Sequence, residues 1–184
     1  MSATLLIFFL IGGSLFAIKI IYVLSVIIAL PFSQGALYVS TTKKRINAFL
    51  SAIPLTKDQL IVDLGCGDGR VLRMANKQFG ISGIGYEINL LAFMKAKILC
   101  AFYKNINIQF INFYKADLSN ADIVFCYLFP DVMKIVSKKL KSELKNGAYV
   151  ISCNFKIPDF IPEKVLRPSG SLHNDPIYLY HIKS

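Results

Sequence analysis

Residues 61–70 read IVDLGCGDGR, and residues 83–87 read GIGYE. The first segment opens with an apolar run of the kind found in strands that are buried on both faces. A glycine-rich turn follows, and then a helical stretch from Arg70 to Phe79 that Gly80 can end. The second segment closes another short strand on Glu87. A strand, a glycine turn, a helix and a second strand in this order predict a doubly wound α/β sheet.

Alternating helical and extended patterns continue on both sides of this stretch. Before it, Ile46, Phe49, Leu50 and Ile53 recur at helical spacing, which predicts a helix that Thr41 or Ser40 caps and Pro54 ends. The elements predicted after it are a helix over 90–103, strands over 106–111 and 121–127, a helix over 131–145, a strand over 148–154, and an antiparallel pair over 164–167 and 177–181.

Composition divides the chain into two unlike parts. It combines 54% hydrophobic residues with a net charge of +10, yet Lys19 is the only charged side chain in residues 1–40. Residues 3–32 are almost entirely apolar, and as a helix they would extend about 45 Å, which exceeds a hydrocarbon core of about 30 Å. We therefore predict a transmembrane segment over 1–32 and one catalytic domain over 33–184.

The charges that follow the apolar segment predict its orientation. Lys43, Lys44 and Arg45 come first, so the positive-inside rule places the catalytic domain of a single-pass protein on the cytoplasmic face. A cleaved signal peptide is the alternative, but the apolar run is too long and lacks a basic start and a small-x-small site.

The cysteines indicate neither a metal site nor a disulfide framework. Cys66, Cys100, Cys126 and Cys153 are far apart in sequence and form no CxxC pair. We predict four reduced thiols in the core and no bound metal.

The glycine turn and Glu87 predict a nucleoside cofactor. Glycines let the backbone approach a ligand closely, and the helix start offers N–H groups to a carboxylate. Glu87 lies 20 positions after Gly67, a separation that brings its carboxylate to ribose hydroxyls. A nicotinamide or flavin site would read GxGxxG, but here the third glycine comes one residue early and Arg70 follows.

The form VDLGCGDGR resembles motif I of the S-adenosylmethionine-dependent methyltransferases. The resemblance implies that Asp63 supports the turn and the methionine amino group, that Glu87 holds the ribose, and that Asp117 faces the adenine amine. The complete set of cofactor-binding residues that it implies is Asp63, Gly65, Gly67, Asp68, Gly69, Glu87 and Asp117.

The substrate is expected at the end of the strand over 121–127. Tyr127 and Phe129 follow this strand, where α/β sheets bind their substrates, and their rings can flank an amine by cation–π contact. The alternative is that both rings belong to the core. Methyl transfer needs an aligned nucleophile and loss of an amine proton, so no Ser, His and Asp set is required.

The run over 31–162 is similar to the small membrane-anchored protein-lysine methyltransferases of the seven-β-strand class. Mitochondrial members modify the ATP synthase c-subunit and the adenine nucleotide translocase. The matching segments are the apolar N-terminal segment, residues 31–32 with 38–41, VDLGCGDGR, GIGYEIN, ADIVFCYLFPDVM and ISCNFKIPDFIP. The resemblance implies methylation of protein lysines near a membrane; a lipid or small-molecule methyltransferase and a non-catalytic scaffold are the alternatives.

A basic stripe supplies a separate indication of a membrane partner. Lys134, Lys138, Lys141 and Lys145 share one face of the predicted helix over 131–145, and such a face attracts anionic headgroups. Nucleic acid is the rival partner and is not expected, because an anchor would keep the domain away from most of it.

Overall fold

A computed structural model describes residues 3–33, 41–168 and 175–183 of the chain. The helices are α1 (Ala3–Ser33), α2 (Lys43–Leu50), α3 (Arg70–Phe79), α4 (Leu90–Cys100) and α5 (Pro130–Glu143), with a 3-10 turn over Phe113–Lys115. The strands are β1 (Leu60–Leu64), β2 (Ser82–Tyr86), β3 (Ile106–Gln109), β4 (Ile123–Cys126), β5 (Tyr149–Cys153), β6 (Lys164–Leu166) and β7 (Ile177–His181).

All seven strands join one sheet in the order β3-β2-β1-β4-β5-β7-β6. Strands β1 to β5 are parallel, and β7 pairs antiparallel with both β5 and β6. The predicted doubly wound sheet and its closing antiparallel pair are therefore confirmed. Strand order reverses between β1 and β4, where α/β sheets open the crevice that holds their ligands. We call the side on which β1 to β5 end the carboxyl edge.

Helices cover both faces of the sheet and bury two hydrophobic clusters. Helices α2, α3 and α4 pack on one face, through residues such as Phe49, Leu72 and Ala96. Helix α5 packs on the other face, through Val132, Met133 and Val136. The central strands are buried on both faces, which is why their sequences read as unbroken apolar runs.

The ends of several predicted elements differ from the structure by a few residues. Thr42, not Thr41 or Ser40, caps α2, because its hydroxyl accepts a hydrogen bond from the Arg45 N–H at 3.4 Å. Helix α4 ends at Cys100, and the chain then turns through a hydrogen bond from the Tyr103 N–H to the Cys100 carbonyl at 2.9 Å.

Arg45 is buried, although it ends a run of three basic residues over 43–45. Its side chain is only 5% exposed. Its guanidinium donates to the carboxylate of Asp175 at 3.3 Å and to the amide oxygen of Asn154 at 2.6 Å. These acceptors draw the arginine inward, so Lys43 and Lys44 are the exposed charges that follow the apolar segment.

Helix α1 is a continuous helix of 31 residues. Its stretch over Thr4–Leu24 is long and apolar enough to cross a membrane, and none of it is buried against the rest of the chain. Residues 34–40 lie outside the described residues, as does part of the family-like segment over 38–41. The division into residues 1–32 and 33–184 remains a prediction.

The four cysteines are free and buried, as predicted. Burial raises the pKa of the Cys126 and Cys153 thiols to about 12. Both thiols are therefore protonated at neutral pH and serve as apolar core groups.

Candidate active site

The loop between β1 and α3 has a backbone shape that favours glycine. Gly65, Gly67 and Gly69 all lie in the left-handed region, with φ of 83°, 56° and 72°. A Cβ on Gly69 would also come 2.7 Å from the Sγ atom of Cys100. The third glycine therefore lets the loop pack against α4, whereas Gly65 lines the cavity described below.

Glu87 connects the end of β2 to this loop. Its carboxylate is 8% exposed and accepts a hydrogen bond from the Gly67 N–H at 2.8 Å. The other carboxylate oxygen accepts from the N–H groups of Ile88 and Asn89, at 2.9 and 2.8 Å. Burial raises the pKa of Glu87, and these N–H groups oppose the rise. The structure thus brings Glu87 and Gly67 together, and the carboxylate holds the loop in place.

Two more buried carboxyl groups lie close to Glu87. Asp63 is 2% exposed, and its pKa is raised well above the usual range, first by burial and then by the negative charges of Glu87 and Asp68. Asp68 accepts from the Arg70 N–H at 3.1 Å and forms ion pairs with Arg70 at 3.3 Å and Lys95 at 3.9 Å. The Asp68 carboxylate is therefore engaged with α3 and α4, and direct contact with a cofactor remains a prediction.

A small cavity opens beside Glu87 at the carboxyl edge. Its volume is about 30 Å³, and its lining consists of Gly65, Tyr86, Glu87, Ile88, Ile111, Asn112 and Phe113. This is roughly the space of one water molecule. A bound nucleoside would therefore lie mostly across the open surface of the glycine loop, with one edge at this cavity.

Asn112 is a residue of this cavity that was not predicted, and the adenine contact expected of Asp117 remains a prediction. Asn112 follows β3 and lines the cavity, and its side-chain oxygen also accepts from the Tyr114 N–H at 3.0 Å. Asp117 is exposed and does not line the cavity; hydrogen bonds from Ser119 lower its pKa. The signal that could have identified Asn112 is its position directly after β3, because neighbouring parallel strands end at the same edge of the sheet.

On the far side of the β1–β4 switch point, Tyr127 is held by two polar side chains. Asn154 donates from its amide nitrogen to the Tyr127 hydroxyl oxygen at 2.9 Å, and the Arg45 guanidinium lies 5.5 Å from the ring centroid. Burial raises the pKa of Tyr127, although Arg45 opposes the rise. Asn154 has a φ of 70°, a conformation that side chains rarely adopt and that surrounding contacts must hold.

Phe129 forms an aromatic pair at the same edge. Its ring centroid is 6.3 Å from that of Phe155, which follows β5. Phe129 and Tyr127 are both half-buried, whereas Leu128 between them points into the core. Both predicted substrate residues thus lie at the carboxyl edge. Arg45 and Asn154 were not predicted, because the hydrogen bond that joins them spans more than 100 positions of sequence.

The family model of the ANTKMT methyltransferase domain matches residues 63–164 of the chain. The chain belongs to this family. A protein-lysine N-methyltransferase of Saccharolobus islandicus is 34% identical to this methyltransferase over 151 residues, which are 79% of the chain and 92% of the relative. The lysine N-methyltransferase of the ATP synthase c-subunit in Xenopus laevis is 27% identical over 164 residues, 84% of the chain and 69% of the relative.

Solved structures agree with this assignment. An RNA methyltransferase from Salinibacter ruber in complex with S-adenosyl-L-homocysteine has a TM-score of 0.72 and 26% identity, over 79% of the chain and 95% of that structure. A methyltransferase from Geobacter sulfurreducens, with 18% identity and a TM-score of 0.54, shares the fold. The methyltransferase has the class I fold and uses S-adenosyl-L-methionine, as the motif resemblance implied.

The residues at the carboxyl edge fit this cofactor. Glu87 would accept from ribose hydroxyls, Gly65 would allow close approach, and the Asn112 amide would donate to and accept from an adenine edge. When bound, S-adenosylmethionine supplies a methyl group on a sulfonium. The role of the chain is to bind the cofactor and align an acceptor with that methyl group.

Proposed function

We propose that this methyltransferase transfers methyl groups to the ε-amine of lysine in a protein at a membrane. The observation that carries the proposal is the match to a protein-lysine N-methyltransferase along 92% of that relative's length at 34% identity. The names of several further relatives specify lysine in two proteins, the ATP synthase c-subunit and the adenine nucleotide translocase. Those acceptors belong to the relatives, and the acceptor class is what we transfer.

The carboxyl edge offers suitable groups for an amine. Tyr127 and Phe129 supply aromatic surface where β4 ends, and such surface attracts an ammonium and accommodates the neutral amine that forms from it. The Tyr127 oxygen already accepts from Asn154. Because a hydroxyl oxygen has two lone pairs, it can accept a second hydrogen bond from an amine N–H and so orient the nitrogen toward the methyl group.

Membrane attachment is the second half of the proposal. Helix α1 would cross the bilayer once and hold the domain over 33–184 on the cytoplasmic or equivalent face. Support comes from the apolar stretch over Thr4–Leu24 and from the exposed Lys43 and Lys44 that follow it.

Labelling with radioactive cofactor tests the acceptor class. The full chain in lipid nanodiscs is incubated with membrane extract and methyl-labelled S-adenosylmethionine, and mass spectrometry identifies the modified residues. We expect label on protein lysines, and we expect prior acetylation of the lysine amines in the extract to abolish it, because an amide nitrogen is not nucleophilic. Label confined to extractable lipid would instead support a lipid methyltransferase. Glu87→Ala should abolish labelling, whereas Asp58→Ala, at an exposed carboxylate outside the site, should not.

A further inference from the structure

Helix α4 is apolar on two opposite sides but has protein against only one of them in the described part of the chain. Ala92, Ala96 and Cys100 face the core and are at most 5% exposed. On the opposite side, Met94 is 50% exposed and Ile98 is 69% exposed. A helix that is hydrophobic all round normally has an apolar partner on each side.

Exposed apolar side chains extend from α4 toward the cofactor cavity. Phe102, in the turn after the helix, is 93% exposed. Among the described residues outside α1, seven of the ten large exposed hydrophobic residues lie in one stretch of 22 residues. These seven, which we call the α4 surface, are Leu90, Met94, Ile98, Leu99, Phe102, Phe110 and Ile111. A concentration of this kind marks an interaction site.

The charged side chains in the segment that carries the α4 surface are all positive. Residues 88–116 contain four lysines and no Asp or Glu. At about 100° per residue, Lys95 and Lys97 fall on either side of the line through Met94 and Ile98. Lys95 is 61% exposed and makes only a 3.9 Å ion pair with Asp68. An apolar face with a basic rim matches the surface of an anionic bilayer.

Neighbouring elements on the same face of the sheet point to the same partner. A cleft of about 770 Å³ between α2 and α3 is lined by Lys43, Asn47, Arg70, Arg73, Met74, Lys77, Gln78 and Tyr103, with no carboxylate among them. Helix α1, the candidate membrane span, also approaches α4. By contrast, the basic stripe of α5 lies on the opposite face of the sheet, and Lys141 and Lys145 are paired with Asp159 and Asp122.

We infer that the α4 surface lies in the interfacial layer of an anionic bilayer, with the lysines at its rim among the headgroups. This places the α2–α3 face of the domain on the membrane and the α5 stripe in water. It also brings Ile111, which lines the cavity beside Glu87, to the bilayer surface, so an acceptor residue that emerges from the membrane meets the carboxyl edge directly. The inference does not depend on the acceptor being lysine.

Environment-sensitive fluorophores test this placement. Because all four native cysteines are buried, a thiol introduced at an exposed position is labelled selectively. Met94→Cys reports on the α4 surface, Lys138→Cys reports on α5, and Phe8→Cys reports on insertion of α1. Each labelled full-length chain is reconstituted in vesicles of phosphatidylcholine and phosphatidylserine with brominated acyl chains, and calorimetry with S-adenosylmethionine verifies that it is folded.

We expect bromine quenching at residues 94 and 8 but not at 138. Lys97→Glu with Lys104→Glu should lower the ratio of docked to undocked domain by at least about 25-fold, since each headgroup-facing lysine contributes about five-fold and each new glutamate repels the anionic headgroups. The matched pair Lys134→Glu with Lys138→Glu should leave it unchanged. Quenching at 8 without quenching at 94 overturns the inference while leaving the anchor intact. Energy transfer between labels at residue 94 of two copies overturns the inference in favour of a dimer. A spectral change at residue 94 that an oligonucleotide causes and vesicles do not overturns it in favour of nucleic acid.

Discussion

Replacing Glu87 by Gln tests the group that joins the glycine loop to the cofactor site. The substitution keeps the size of the side chain but replaces one carboxylate oxygen by an NH2 group. In the structure one oxygen accepts from Ile88 and Asn89, and the other accepts from Gly67. A glutamine can satisfy the first pair, but its NH2 group then faces the Gly67 N–H, donor against donor.

The magnitude follows from those contacts. A buried N–H left without an acceptor costs about 1–3 kcal/mol, and a hydrogen bond to a charged group contributes about 1.5–3 kcal/mol. We therefore expect Glu87→Gln to lower the free energy of unfolding by about 1–3 kcal/mol. The loss of a charged acceptor for the ribose should weaken S-adenosylmethionine binding roughly 10- to 150-fold.

Isothermal titration calorimetry and urea unfolding measure the two effects separately. The matched control is Asp117→Asn, which removes an exposed carboxylate that lies outside the cavity lining, and we expect wild-type affinity and stability from it. An Asp117→Asn variant that loses affinity while Glu87→Gln keeps it would refute our assignment of the cofactor site.

The pH dependence supplies a second check on Glu87. Burial raises its pKa in the folded protein, so the folded state binds more protons than the unfolded state at pH values between the two pKa values. Its contribution to stability therefore falls as pH rises through that window. Cofactor affinity should change in the opposite direction, because protonation removes the charged acceptor. Burial also raises the pKa of Asp63, so the contribution of Glu87 is the difference between the stability–pH curves of wild type and Glu87→Gln. Identical curves for the two proteins would contradict the raised pKa of Glu87.

Three further changes test contacts that only the structure reveals. Gly69→Ala should lower the free energy of unfolding by about 2–4 kcal/mol, because its Cβ would come 2.7 Å from the Cys100 Sγ atom in a left-handed backbone. When it is combined with Cys100→Ala, the loss of unfolding free energy should be at least about 1 kcal/mol less than the sum of the two single losses. Strict additivity in urea unfolding would contradict the contact. Arg45→Lys should lower the free energy of unfolding by about 1–2 kcal/mol in the same assay, since a lysine cannot reproduce the fork of hydrogen bonds. It should also lower kcat with little change in the KM for cofactor. A raised cofactor KM alone would show that Arg45 acts on the cofactor side of the site and not on the substrate side. Asn112→Ala should raise that KM roughly 10-fold, and an unchanged value would return the adenine contact to Asp117.

Much of the fold could be predicted because its signals are local. The sharp turn after β1 needs residues that adopt positive φ, and glycines at every second position, 65, 67 and 69, satisfy this need. Glu87 was predictable for a related reason, since neighbouring parallel strands end at the same edge and a residue directly after β2 must reach the loop after β1.

The polar contacts around the substrate position could not be predicted in this way. Arg45 reads as one of three consecutive basic residues at an exposed helix start, yet Asp175 and Asn154 draw it into the interior. Asp117 reads as the natural partner of an adenine amine, yet the cavity beside Glu87 is lined by Asn112 and not by Asp117. In each case the deciding partner is distant in sequence or depends on the path of a loop.

The sequence by itself determined the order of elements, the glycine loop, the acidic residue that meets this loop and the apolar character of α1, because each rests on backbone preference or on periodicity within a few turns of chain. Only the tertiary structure decided which side chains meet across the sheet and which apolar face of α4 remains uncovered. Helix α4 has apolar residues on both sides, so its sequence cannot state which side the core takes. That choice is made by the surface that β3 and the glycine loop present to it, and a surface of this kind exists only after the chain has folded.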